Sequence, residues 1–361
     1  MAKRKIGILT SGGDCPSLNA TIRGAVRSCY QYFGEDNIEF IGISNGYHGL
    51  IHNECKIMKR EDFFGLLTKG GTILSSKRTP FNKMREIEED GIDKVAKMKK
   101  TYKKQGLDCV LTFGGNGTHK NANLLSEEGL NVIALPKTID NDIRGTDVTF
   151  GFHTAVEIGT GVLDRIHTTA HSHSRVMVVE IMGNKSGCLS LYTGVGGGCD
   201  VILMPEIPYS EDAVLQAIWR RSDAGKPYSI IVVAEGAMDK NEAKMKGKER
   251  AAKRAECGVK TVTNRIVKLV QERAGIETRA VVPGHMLRGG TPSAYDRILA
   301  TQFGARAAAL ITEGKFGYTV AKIGNEITEN KLIDIVGKPK KVDVNDIMVH
   351  TAKSIGVSFG D

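Results

Sequence analysis

Pro136-Lys137-Thr138-Ile139-Asp140-Asn141-Asp142 puts a cation, a hydroxyl and two carboxylates on one short stretch. Carboxylates two residues apart can act as a general base and its orienting or metal-holding partner. The stretch follows an apolar run, Asn131 to Leu135, that reads as a buried strand ending at a proline. A turn at the carboxyl end of such a strand is where open α/β sheets bind their ligands. The chemistry this indicates is phosphoryl transfer.

Two glycine loops belong with it. Thr10-Ser11-Gly12-Gly13-Asp14-Cys15-Pro16-Ser17 follows a strand-like run and enters a helix. Its paired glycines let backbone amides approach a phosphate, and the helix N-terminus favours the anion. The loop lacks the Gly-Lys-Ser/Thr ending of a P-loop, and no G-x-G-x-x-G fingerprint follows a strand. Gly114-Gly115-Asn116-Gly117-Thr118 repeats the arrangement after the strand ending at Phe113. Either loop alone is also a reasonable tight turn, but the two beside an acidic loop point to a ligand site. The second half adds cations: Arg175 after His171-Ser172-His173-Ser174, Arg279 in Glu277-Thr278-Arg279, and Gly284-His285-Met286-Leu287-Arg288-Gly289-Gly290. Arginine forks suit phosphate oxygens, although a single arginine more often makes a surface ion pair. His171, His173 and His285 lack companions at metal-ligand spacing, so no transition-metal site is read.

The elements that must position these groups alternate along the chain. Strands are read at Ile6–Leu9, Phe40–Ile43, Asp108–Phe113, Arg175–Ile181, Val201–Met204 and Ser229–Ala234. Helices are read from Ser17 to Tyr32, from Thr118, from Phe152 to Thr169, and after a cap at Ser210. This rhythm implies an α/β protein with parallel sheets flanked by helices. The stretch from Asn82 to Gln105 reads as a charged helical insertion, and that from Asp239 to Lys260 as a second polar one, both peripheral. A domain boundary is placed near residue 145.

With 361 residues, 41% hydrophobic and 25% charged, the composition is that of a soluble globular protein, more naturally two lobes than one. Much of the net charge of +9 lies between Lys240 and Arg254. No aromatic interleaves that run, so it reads as a solvated helix face rather than a nucleic-acid contact. Seven cysteines without paired ligand spacing argue against a disulfide framework or a zinc site and for a reducing cytosol. The apolar run after the basic start, Ile6 to Leu9, is too short for a signal peptide, and nothing approaches a membrane span. A cytoplasmic protein with no membrane or nucleic-acid partner is expected.

In order along the chain, Thr10–Asp14, Gly114–Thr118, Thr138–Asp142, Val179-Glu180-Ile181-Met182-Gly183 and Gly284–Gly290 resemble the motifs of 6-phosphofructokinases, over nearly the whole length. Lipid and NAD kinases share a glycine loop but explain neither the Gly284–Gly290 turn nor Arg175. The resemblance implies two Rossmann-like lobes, each a mainly parallel sheet flanked by helices, with the active site in the cleft between them. Residues 1–145 with part of 290–340 would form the phosphoryl-donor lobe. Residues 146–290 with the C-terminal segment would form the fructose 6-phosphate lobe. The implied reaction is phosphorylation of fructose 6-phosphate at its 1-hydroxyl, with Mg²⁺. Asp140 would be the base, Asp142 would orient it or hold the metal with Asn116, and Thr138 would bond the moving phosphoryl. Arg78 would bridge donor and acceptor phosphates. Gly12, Gly13, Thr79, Gly115, Asn116, Gly117, Thr118 and Lys137 would contact the donor, with Tyr47 flanking the adenine. Arg175, Met182, Gly183, Asn184, Glu235, Arg279, His285 and Arg288 would bind the sugar phosphate. Arg175 and Arg279 match arginines that reach a neighbouring subunit, which implies a homodimer or homotetramer with active sites at a subunit interface.

The chain departs from the family pattern at Asn116, where an aspartate is usual, at Asn184, where an arginine is usual, and at Asn121, where glycine is frequent. Gly117 leaves room for a nucleotide α-phosphate and favours ATP, whereas Lys137 is the residue that pyrophosphate users carry. ATP is the expected donor and pyrophosphate the alternative, within the mixed-substrate group of the family. A regulatory paralogue that binds sugar phosphate and nucleotide with little turnover is a further alternative. Arg23, Arg27, Arg165 and Lys226 match effector-phosphate groups. Cys55 lies near a position where an arginine is expected, Pro227 replaces a basic residue, and Asp200 stands for a glutamate that binds the activator's Mg²⁺. Weak or absent nucleotide activation is expected.

Overall fold

The computed structural model describes residues 3–87, 91–256, 258, 261–337 and 339–361. The first part of the chain runs β1 (Arg4–Ser11), α1 (Leu18–Phe33), β2 (Ile38–Ile43), α2 (Tyr47–His52), β3 (Cys55–Met58), α3 (Lys94–Gln105), β4 (Cys109–Gly114), α4 (Asn116–Glu127) and β5 (Val132–Pro136). The middle part runs α5 (Phe152–His173), β6 (Val176–Ile181), α6 (Cys188–Gly196), β7 (Val201–Leu203), α7 (Glu211–Asp223), β8 (Ser229–Ala234), α8 (Gly247–Glu256), α9 (Val262–Ala274) and β9 (Thr278–Val281). Then come α10 (Ala294–Thr312), β10 (Tyr318–Ile323), β11 (Glu326–Lys331), α11 (Leu332–Ile335) and α12 (Ile347–Ser354). Two compact units result. One runs to Thr154 and takes up Arg288–Pro339; the other holds Ala155–Leu287 and Lys340–Asp361.

The first unit is built on a seven-stranded sheet in the order β11-β10-β5-β4-β1-β2-β3. Its five inner strands are parallel, and the two edges, β3 and β11, run antiparallel to their neighbours. Val110, Leu111, Val132, Ile133, Ala134 and Leu135 are fully buried, as expected of central parallel strands covered on both faces. Each large apolar side chain so buried contributes about 1.5–3 kcal/mol relative to exposure. The order matters for function, because β1, β4 and β5 are neighbours. The loops leaving their carboxyl ends therefore emerge side by side.

The second unit is a four-stranded, all-parallel sheet in the order β7-β8-β6-β9. Ile230 to Ala234 in β8 are fully buried, and β9 lies at an edge. Ser210 holds the N-cap position of α7, but its side chain makes no capping bond.

The first polar insertion differs from the sequence pattern, whereas the helix of the second is solvated as expected. Among the described residues of the span Asn82–Gln105, α-helix occupies only Lys94–Gln105, started by the Asp93 side chain accepting from the amide of Ala96 (2.9 Å); residues 88–90 lie outside the described residues. That helix is not peripheral. Val95 and Met98 join the buried cluster that contains Leu50 and Ile51 of α2. In the span Asp239–Lys260, α8 is solvated, yet its Arg254 donates from Nε and Nη2 to the buried Glu242 carboxylate (2.8 Å each). Residues 257, 259 and 260 lie outside the described residues.

Candidate active site

The loops after β1, β4 and β5 are fastened to one another. Thr118 donates its hydroxyl to the carbonyl of Ser11 (3.3 Å), the amide of Lys137 donates to the carbonyl of Gly114 (3.0 Å), and the Lys137 ammonium donates to the carbonyl of Gly13. Gly12 has φ +86°, in the region that favours glycine. A Cβ at Gly114 would stand 2.1 Å from Thr118 Oγ1, so only glycine lets that hydroxyl pass. Gly115 and Gly117 are different. Neither has positive φ, a Cβ at 115 would make only ordinary contact, and one at 117 would meet nothing within 4 Å. They open the N-terminus of α4, where unbonded amides and the helix dipole attract anions.

Within the β5 loop, Asn141 is the residue that sequence reasoning passed over. Its φ is +50°, which asparagine tolerates better than most residues. Its Oδ1 accepts from the amide of Thr149 (3.1 Å), and its Nδ2 donates to the carbonyl of Asp147 (3.1 Å). Asn141 thus pins the turn that carries Asp140 and Asp142; an Asn flanked by two Asp is the sequence signal for it. The amide of Asp140 donates to Thr138 Oγ1 (3.0 Å), which leaves the threonine's own proton to donate elsewhere. Lys137 is only 2% exposed. Burial pushes its ammonium down from the ordinary lysine range, and the Asp140 and Asp14 carboxylates pull the other way. Beside it, burial holds the imidazole of His119 down at about 4, and its ring nitrogens engage the Gly115 carbonyl (3.0 Å) and Thr319 Oγ1 (2.9 Å).

Among the described residues, no group of three or more His, Cys, Asp or Glu is arranged to hold a metal ion. The loops instead offer two oxygen-bearing side chains, Asp142 and Asn116, joined by the bond from Asn116 Nδ2 to the carbonyl of Asp142 (3.2 Å). Magnesium is commonly held by one or two carboxylates together with substrate phosphates. The residues present fit an ion that arrives with a phosphate chain.

Arg78 is exposed on a segment laced to the first loop: Ser76 donates its hydroxyl to the carbonyl of Gly12 (2.6 Å), and Ser11 donates its own to that of Lys77 (3.3 Å). Thr79 accepts at its carbonyl from Asn121 Nδ2 (3.1 Å). Arg288 donates from Nη1 to the carbonyl of Asp14 (3.0 Å), which sets its guanidinium against the first glycine loop. Tyr47 requires a correction. It is 0% exposed, packed in the cluster with Leu50 and Met98, and its hydroxyl donates to the carbonyl of Thr118 (2.8 Å). A ring so enclosed supports the second glycine loop from beneath and does not flank an adenine. Tyr47→Phe should therefore cost about 1 kcal/mol of stability in a denaturant titration. The half-saturating nucleotide concentration should not change; a rise would put the ring back on the nucleotide.

In the second unit, Glu235 accepts at Oε1 from the amide of Gly183 (3.2 Å) and from that of Asn184, bracing the turn after Met182. Asn184 has φ +51°, a backbone that suits asparagine better than arginine. His285 is exposed on a short 3₁₀ turn, Gly284–Arg288. Arg175 and Arg279 meet a single carboxylate: Arg175 Nε lies 2.9 Å from Glu277 Oε2, and Arg279 Nη2 donates to Glu277 Oε1 (2.6 Å). Asp200 is ion-paired with Arg221 (2.6 Å) and accepts from the amide of Ile230 (2.8 Å). In the first unit, Arg23 and Arg27 line a cavity of about 450 Å³ together with Arg60.

A family model described as phosphofructokinase matches residues 5–311. An "ATP-dependent 6-phosphofructokinase" of Spirochaeta thermophila is 48% identical over 363 residues, covering 100% of this chain and 98% of that protein. "ATP-dependent 6-phosphofructokinase 3" of Bacteroides thetaiotaomicron is 43% identical over 357 residues, covering 99% of this chain and 100% of that protein. Among solved structures, Pichia pastoris phosphofructokinase in the T-state superposes with a TM-score of 0.79 at 30% identity. That match covers 93% of this chain and 36% of the longer Pichia chain.

Proposed function

The chain belongs to the phosphofructokinase family, and we propose that Asp140 takes the proton from the 1-hydroxyl of fructose 6-phosphate as that oxygen attacks the γ-phosphoryl of ATP. The reaction is ATP-dependent formation of fructose 1,6-bisphosphate, a glycolytic phosphotransfer to an alcohol that requires Mg²⁺. The observation that carries the assignment of residues is the hydrogen-bonded set of loops after β1, β4 and β5, which presents helix amides, a hydroxyl and Asp140 together.

Each group then has a task. The amides around Gly12, Gly13 and Gly115–Thr118 receive donor phosphates, with Arg78 and Thr79 at their rim. Thr138 uses its remaining proton on the phosphoryl in flight. Lys137, seated on the Gly13 carbonyl, supplies positive charge beneath the loop rather than a side chain reaching outward, which supports ATP over pyrophosphate as donor. Asp142 and Asn116 would hold Mg²⁺, which when bound neutralises charge on the phosphate oxygens. Arg175, Met182, Gly183, Asn184, Glu235, Arg279, His285 and Arg288 bind fructose 6-phosphate. We assign the donor to the unit that contains Asp140, and most of the sugar-phosphate contacts to the unit that contains Arg175. Because Arg175 and Arg279 would serve a neighbour's substrate, a homodimer or homotetramer follows. No described helix is long and apolar enough to cross a membrane, and we place the protein in the cytoplasm.

The test is formation of fructose 1,6-bisphosphate with Mg²⁺ and either ATP or pyrophosphate. Product is expected with ATP, and only a small fraction of that rate with pyrophosphate. Product with neither donor would overturn the catalytic reading, and a faster rate with pyrophosphate would overturn the donor.

A further inference from the structure

Glu277 gives one carboxylate to two arginines on neighbouring strands. Val176 of β6 pairs with Thr278 of β9 in parallel register, and the amide of Val176 donates to the carbonyl of Glu277 (3.0 Å). That register sets Arg175, just before β6, beside Glu277, just before β9. Arg279 then reaches back along its own strand. Glu277 Oε2 faces Arg175 and Oε1 accepts from Arg279, so each oxygen serves one guanidinium. The pairing with Arg175 and Arg279 holds the Glu277 carboxyl below the usual carboxylate range.

An arginine fork binds carboxylate and phosphate with the same planar geometry. We propose that Glu277 is a resident anion occupying the seat that the 6-phosphate of the sugar must take, so that fructose 6-phosphate binds by displacing it. The inference rests on the reading of Arg175 and Arg279 as sugar-phosphate ligands. Without the phosphate, the trio carries a net charge of +1, which prevents two cations from repelling each other at an exposed edge. A phosphate dianion offers more charge and more oxygens than the carboxylate, so it wins the exchange, but its affinity is reduced by the competition. The Arg279 pair is exposed and the Arg175 pair half-exposed, and ion pairs so open to water are weak, which keeps the exchange reversible. Glu277 therefore acts as a positioning residue that sets the sugar-phosphate concentration at which the enzyme responds.

The experiment compares Glu277→Gln with the native enzyme and with Arg175→Ala and Arg279→Ala. It reads half-saturation for fructose 6-phosphate, kcat, and calorimetric binding of fructose 6-phosphate without nucleotide. Glu277→Gln should lower half-saturation and the dissociation constant about 2- to 30-fold, the range two such ion pairs allow, with kcat and ATP half-saturation unchanged. Glu277→Asp, too short to span both forks, should move the same way by less, and it serves if the glutamine variant folds poorly. Unchanged or weakened binding in these variants would overturn the proposal. The two arginine variants separate the failures. If they bind the sugar phosphate as well as the native enzyme does, the assignment of Arg175 and Arg279 falls; if they bind it poorly while Glu277→Gln is unaffected, only the displacement falls.

Discussion

Asp140→Asn should lower turnover about 10³-fold and leave half-saturation for both substrates within about threefold. Asparagine keeps the shape of the side chain, and the bond from the residue's amide to Thr138 Oγ1 (3.0 Å) does not involve the carboxylate. Asn141, with its bonds to Thr149 and Asp147, continues to hold the turn. The variant therefore removes the base together with the charge that faces the buried Lys137 ammonium, while the turn itself is kept. A base acts only as the hydroxyl oxygen attacks, so kcat and kcat/KM should fall together. Initial rates of fructose 1,6-bisphosphate formation, with unfolding curves as a control, decide the matter. A loss of less than tenfold would require another proton acceptor. A loss confined to KM would make Asp140 a binding group.

The heptad was legible because its chemistry is local. A proline ends the strand, and the carboxylates follow within a few residues. The neighbouring loops were also legible, since glycines after apolar runs mark strand ends in any parallel sheet. What sequence could not convey is which groups are covered. Tyr47 lies between glycines and a histidine in a stretch that looks like a ligand-facing turn, yet it is sealed by side chains from α3 and by the backbone of α4. α3 itself reads as a charged insertion because lysines outnumber its apolar residues, and only the spacing of Val95, Met98 and Tyr102 hints that one face is buried. The antiparallel edges escaped notice for different reasons: β3 is only four residues long, and β11 is mostly polar, so neither carries a clear periodicity. Glu277 shows the same limit at the site. Its pairing with Arg279 is adjacent in sequence, but its pairing with Arg175 depends on the register of β6 and β9, which no motif records.

Gly117→Asp should cut kcat/KM for ATP by about 10²-fold or more while leaving the fold intact. Glycine inside a helix costs about 1 kcal/mol relative to alanine, so a reason for it is needed at position 117 of α4. The backbone supplies none, because φ is not positive there, and packing supplies none, because a Cβ would meet nothing within 4 Å. An aspartate in the first turn would interact favourably with the helix dipole by about 0.3–1 kcal/mol. The protein on its own should thus be as stable with aspartate as with glycine, or slightly more so. What favours glycine must come from outside the chain, and an anion seated on the α4 amides is the natural candidate. A carboxylate in that space would repel the α-phosphate of ATP and much less so the shorter pyrophosphate. Gly117→Ala separates the two contributions, since it adds volume without charge and should lose far less activity. Melting temperatures and ATP kinetics on the three proteins are sufficient. Native-like use of ATP by the aspartate variant would move the donor phosphates off the α4 N-terminus and, with them, the reading of Gly115 to Thr118 as the donor loop.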